Sequence, residues 1–264
     1  MKSLFLFCAL ILTTSSVARG EWTPPEKPNP DAILDEARAD VRAKRYEDAL
    51  VKLLWFHENA LKYDDGQRGV RLSFALSEWY DLGADYAPAL AKFEEVRAAA
   101  RKSALEGAHA KHIQSSFIDF AAMSQKLRRE NDTVELFLEL HNRNADDAKL
   151  VYSRAEDALV RAERFDLCGE FLDAEPRMEQ FIELYKLNMK LAKEKEGRYG
   201  KQLQSFGERR FRHDAATIVL ILAKNGKIDE AKVLAQQARD AWDDNQLNEA
   251  LDQALAGKPP KSFP

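Results

Sequence analysis

Five histidines, two cysteines and 44 carboxylates are the groups with which this chain could do acid–base, metal or nucleophilic chemistry. His57-Glu58 opens like the zinc-protease helix motif, in which two histidines four residues apart hold the metal and the glutamate activates water. The place of the second histidine is taken by Leu61, so that reading fails. His109 and His112 are three apart and can share a helix face, but a zinc site needs a third protein ligand and none is near in sequence. His141 and His213 stand alone. No glycine-rich phosphate loop, Gly-x-Ser-x-Gly elbow or Cys/His pair is present. The carboxylates are spread over amphipathic segments, where they read as solvated faces. The residues therefore point to no catalytic, cofactor or metal site, and to a protein that is not an enzyme.

The elements that carry these residues are helices. The chain is rich in Ala, Leu, Glu, Lys and Arg, all good helix formers. It shows no sustained period-two alternation, so the fold class is all-α. Apolar spacing predicts helices in pairs: 33–43 with 46–62, 70–82 with 86–100, 117–129 with 133–142, 150–162 with 165–172 and 215–224 with 228–243. A further pair, 178–195 with a helix from Tyr199, has Glu196-Gly197-Arg198-Tyr199 as its corner. A capping helix is expected over 247–255. Trp55 to Gly69 reads as a long, glycine-bearing connection, of the kind that more often carries function.

The ends read differently. Lys2 followed by the apolar run Leu4–Leu12 and the small residues before Gly20 is a secretory signal peptide, too short to span a membrane. Residues 1–20 are thus a signal peptide cleaved near Gly20, which makes the protein secreted or periplasmic. Residues 21–30 are a Pro-rich extended leader (Pro24, Pro25, Pro28, Pro30), 31–256 the helical domain, and 257–264 a tail behind Gly257 and the Pro259-Pro260 pair. Removing Lys2 and Arg19 takes 40 basic residues to 38 against 44 acidic ones, a formal charge of −6. That balance argues against nucleic acid and against anionic membranes as partners. Cleavage also removes Cys8. Cys168 is then alone and no intrachain disulfide can form; it reads as a small packing residue.

A local pattern recurs where helices meet: Lys44-Arg45-Tyr46-Glu47-Asp48-Ala49, Ala84-Asp85-Tyr86-Ala87-Pro88-Ala89, Glu163-Arg164-Phe165-Asp166-Leu167-Cys168 and Gly226-Lys227-Ile228-Asp229-Glu230-Ala231. An aromatic or aliphatic residue plugs the hairpin corner, and a small residue three positions later admits the neighbouring helix. Corners at Tyr46, Tyr86, Thr133, Phe165, Tyr199 and Ile228 give steps of 40, 47, 32, 34 and 29, around the ~34 residues of a helix–turn–helix repeat. The second unit, through Leu76, Ser77, Tyr80, Tyr86, Ala89 and Phe93, resembles a tetratricopeptide repeat. The last does so through Ile218, Val219, Leu222, Gly226, Ile228, Ala231, Ala235 and Ala238. The closing proline of that pattern is missing from every unit.

The resemblance implies a right-handed solenoid of helical hairpins with about five to six irregular repeats. Its inner helices would line a groove carrying Arg38, Arg42, Arg71, Arg128, Arg129, Arg161 and Lys224, with Asp31, Glu78, Asp81 and Asp157 against them. Guanidinium groups suit carboxylates, so the expected partner is another protein or a peptide, an acidic one fitting these arginines best. The expected function is an exported scaffold or adaptor. The alternatives are a secreted all-α hydrolase or lyase acting on cell-wall polysaccharide, and a structural subunit of an envelope complex.

Overall fold

A computed structural model describes residues 22–195 and 197–260. The expected signal peptide and cleavage site, Cys8 and the last four residues of the tail lie outside the described residues. Within them every regular element is helical and no strand occurs, so the chain is all-α. It forms two compact units, one running through Ala91 and the other from Lys92.

The first unit holds α1 (Pro30–Arg42), α2 (Tyr46–Tyr63), a 3-10 turn at Asp65–Gln67, α3 (Arg68–Leu72) and α4 (Phe74–Asp85); α5 (Ala87–Glu106) begins in it. Asn29 caps α1 by accepting from the Ala32 amide at 3.2 Å, and Pro30 opens the helix where its missing N–H costs nothing. The expected 70–82 helix is broken at Ser73 into α3 and α4. The Trp55–Gly69 connection is mostly not a loop. Helix α2 runs on to Tyr63, Phe56 is buried, and the Trp55 ring stacks on Tyr63 at 5.7 Å. What remains is the turn at Asp64, whose side chain accepts from the Gly66 amide at 2.8 Å. The leader is docked, with Trp22 edge-on to Trp55 at 6.4 Å.

The second unit holds α6 (Ala110–Lys126), α7 (Glu130–Arg143), α8 (Ala145–Arg161), α9 (Phe165–Phe171), α10 (Ala174–Glu194), α11 (Gly197–Lys224), α12 (Ile228–Ala241) and α13 (Asn245–Leu255). Two expectations are corrected. The pairs predicted at 178–195/199 onward and 215–224/228–243 share one helix, because α11 continues without a break through Phe211 and Asp214 to Lys224. The Phe206–Asp214 stretch has no proline, and its lone Gly207 is buried inside the helix without stopping it. Tyr199 is not a corner plug, being 62 % exposed within α11. The third corner is also misplaced by three residues. Glu130, Asn131 and Asp132 form the first turn of α7, where acidic side chains favour the helix dipole, and Thr133 takes the buried small position instead.

Four corners then share one backbone geometry. Lys44, Arg128, Glu163 and Gly226 each stand at positive φ (59°, 57°, 56° and 76°) between paired helices. In each, the next residue's amide reaches back five positions to a carbonyl: Arg45 to Asp40, Arg129 to Ser124, Arg164 to Leu159 and Lys227 to Leu222, all at 2.9 Å. This is the left-handed helix stop that satisfies the last carbonyls. Five residues after the positive-φ position, and four after the reaching amide, the small residue is buried in all four corners: Ala49, Thr133, Cys168 and Ala231. The Tyr86 corner differs. It is a single extended residue, and α4 meets α5 so closely that a Cβ on Gly83 would lie 2.8 Å from Leu90 Cβ.

Candidate functional site

In the first unit a cavity of about 350 Å³ opens between α1, α2 and α4. Its floor is apolar (Ala37, Val41, Leu53, Leu82), and Arg38, Arg42, Glu78, Asp81 and Asp85 carry its charge. Arg38 is braced rather than free. It donates to Asp35 at 2.7 Å, one turn back on α1, and through Nε to Glu78 at 2.9 Å on α4. These hydrogen bonds, that with Glu78 foremost, raise the guanidinium's already high pKa. Arg42 stands exposed at the rim. The arrangement can hold an extended segment, with an apolar side chain on the floor and charged neighbours at the edge.

The other residues expected to line a groove are placed differently. Arg71 turns inward, donating from Nε to the His57 carbonyl at 2.5 Å. His57 is buried against the Trp79 ring, 5.7 Å away and edge-on. Asp31 accepts from Gln67 at 3.0 Å. In the second unit Arg128 is the positive-φ residue of its corner and points to solvent. Arg129 pairs with Glu94 at 2.9 Å. Arg161 and Lys224 line a cavity of about 300 Å³ with Asp157, His213 and Thr217. The structure thus gathers Arg38, Arg42, Glu78 and Asp81 at one cavity and Arg161, Asp157 and Lys224 at another, with Arg71, Arg128 and Arg129 at neither.

The histidines are spread out. His112 contacts Ser103 Oγ at 2.5 Å, His141 pairs with Glu170 at 3.0 Å, and His213 lies 3.8 Å from Asp157. Among the described residues no group of three His, Cys, Asp or Glu side chains could hold a metal ion. Cys168 is fully buried; burial, with the nearby Glu156 charge adding, pushes its thiol up to about 12. That suits packing and not nucleophilic attack.

One constellation was not legible in the sequence. Glu156 is 7 % exposed on α8 and meets Arg177 of α10 at 3.0 Å, and the Arg177 guanidinium lies over the Tyr152 and Phe181 rings at 6.0 and 5.4 Å. Burial raises the Glu156 carboxyl above its usual range despite Arg177. Only the i, i+4 spacing of Tyr152 and Glu156 on an apolar face could have signalled it.

Comparison with known protein families, with curated proteins and with solved structures finds no match.

Proposed function

We infer that the chain is an exported, non-enzymatic interaction module built of tetratricopeptide-like hairpins, which binds a peptide or protein segment between α1 and α4. The observation that carries this is the braced Arg38. A guanidinium fixed between Asp35 and Glu78 beside an apolar floor is a pre-ordered recognition surface, and pre-ordering lowers the entropic cost of binding. The corner geometry shared by Lys44, Arg128, Glu163 and Gly226 supports a repeat architecture, and repeat proteins of this kind present such surfaces to partners. Because Asp81 and Asp85 share the rim with Arg42, the segment that fits carries both an acidic residue and a basic one around an apolar anchor. Export rests on the Lys2–Gly20 pattern and places the partner in the periplasm or outside the cell.

The test is affinity purification of the mature protein from its own cell envelope, run in parallel with Val41→Glu and Arg42→Glu variants. The reading requires a partner that the wild type retains and both variants lose while their melting temperatures match the wild type. A partner retained equally by all three would move binding away from this cavity.

A further inference from the structure

We propose that the cavity of the second unit is a separate binding site for a small organic acid: a carboxylate carried on a short apolar body. The cavity measures about 300 Å³ and lies among the end of α8, the start of α9, the second half of α11 and the segment at Gly257, Pro259 and Pro260. That volume is at the lower end of small-ligand pockets, which run from roughly 300 Å³ upward.

The first observation is Thr217. Its residue is 3 % exposed, it lines the cavity, and its hydroxyl Oγ1 has no hydrogen-bond partner. A helical threonine ordinarily returns its hydroxyl to a carbonyl of the preceding turn; here that bond is not made. A buried hydroxyl without a partner is costly, and Thr217 belongs to the cavity wall, where an occupant could supply one.

Second comes the charge around it. Arg161 and Lys224 line the same cavity from α8 and α11, and the Arg161 charge acts on Asp157, four residues earlier on α8. Lys224 is steered instead over the Phe165 ring, its Nζ 5.5 Å from the centroid. Two carboxylates also line the cavity, Asp157 and Glu163. Asp157 is committed to His213, a contact that holds its carboxyl below the usual range, and Glu163 sits on the exposed corner before α9. The Lys224 ammonium, with the Arg161 guanidinium beside Asp157, supplies the positive charge that meets an incoming carboxylate.

Geometry then sets the ligand class. A carboxylate can take a bidentate fork from Arg161 and a hydrogen bond from Thr217, while Val160, Phe165, Pro259 and Pro260 enclose an apolar body. A metal or a neutral sugar would leave both cations unused.

The experiment is calorimetric titration of the full mature chain with benzoate, with N-acetylphenylalanine, and with the neutral benzamide. Saturable binding of either acid, with benzamide at least tenfold weaker, is the expected result. Benzoate binding the tighter assigns the site to free organic acids; N-acetylphenylalanine binding the tighter assigns it to peptide-terminal carboxylates. Arg161→Ala, an exposed position whose loss leaves the fold intact, should weaken the acid about tenfold or more, the range of one charged hydrogen bond. Thr217→Val should weaken the acid while leaving the free protein's melting temperature equal or higher, which a merely structural threonine would not do. Lys224→Gln, also exposed, gives a second independent reading. Absence of saturable binding by both acids, equal binding of benzamide, or unchanged affinity in Arg161→Ala and Lys224→Gln would overturn the proposal.

Discussion

Lys52 Nζ of α2 lies 2.6 Å from Asp40 Oδ2 of α1, and both residues are buried. The same carboxylate accepts from Arg45 Nε at 2.8 Å, while the Asp40 carbonyl takes the Arg45 amide that closes the first corner. Trp22 of the leader covers the pair, its ring 5.7 Å from Lys52 Nζ. Backbone and side chain of one residue therefore fix the α1–α2 hairpin.

Removing that carboxylate leaves Lys52 buried with Glu36 alone, at 3.2 Å and half in solvent. Asp40→Asn is expected to cost about 3 kcal/mol, the scale of a buried pair broken on one side. Burial opposes the Asp40 charge, but the hydrogen bonds from Lys52 and Arg45 outweigh it and hold the carboxyl below its usual 3.8. A depressed carboxyl gives stability that is present above the unfolded value and lost as pH falls through the folded one. Urea unfolding should thus show a constant gap between wild type and Asp40→Asn from neutral pH to near 4, closing below it.

The corners predict opposite effects at equivalent positions. Lys44 is exposed and stands at φ 59°, where a side chain is strained; Gly226 occupies the same place at φ 76° without one. Lys44→Gly should stabilise by about 0.5–1 kcal/mol and Gly226→Ala should destabilise by about 1 kcal/mol. Thermal melts that move both variants in the same direction would contradict the equivalence of the two corners.

Packing at the corners rests on the small residue more than on the aromatic. Tyr46 and Tyr86 are half-buried and stacked on each other at 6.2 Å, and Ile228 is largely at the surface. Ala49 and Ala231 have no exposure at all. Tyr86→Ala is accordingly expected to cost about 2 kcal/mol, below the 3–5 of a fully buried ring. Ala231→Leu should cost about 1–3 kcal/mol by overpacking α12. Chemical denaturation of the two variants checks the order.

The hairpins at Tyr46, Phe165 and Ile228 were legible because each sets a basic residue (Arg45, Arg164, Lys227) before an aromatic or aliphatic plug and a small residue at fixed spacing, a local signal. The α7 start was missed because Glu130-Asn131-Asp132 is polar enough to pass for a turn, although acidic residues equally open a helix. The continuity of α11 was missed because a repeat period imposes a break where the residues from Phe206 to Asp214 supply none. Of the candidate sites, Arg38 and Glu78 were legible as a pair of faces, whereas Thr217 and Glu156 were not. An unpartnered hydroxyl and a desolvated carboxylate are properties of tertiary packing that leave no periodic mark.

Glu156 and Arg177 give the sharpest contrast between charge and shape. Burial raises the Glu156 carboxyl, and Arg177 and the Tyr152 hydroxyl work against the rise. A carboxyl raised on folding costs stability when ionised, so the native state gains stability as pH falls from the folded value toward the unfolded 4.5. Glu156→Gln keeps the shape and removes the charge, and is expected to be neutral or stabilising at pH 7. Arg177→Ala leaves the carboxylate buried and uncovers the Tyr152 and Phe181 rings, and is expected to cost about 3 kcal/mol. That loss should shrink as pH falls toward 5, because protonation of Glu156 removes the uncompensated charge. Adding Glu156→Gln to Arg177→Ala should recover a large part of the loss at pH 7. A double variant no more stable than Arg177→Ala alone, measured by urea unfolding, would show that Arg177 acts through its packing on the two rings and not through the buried charge.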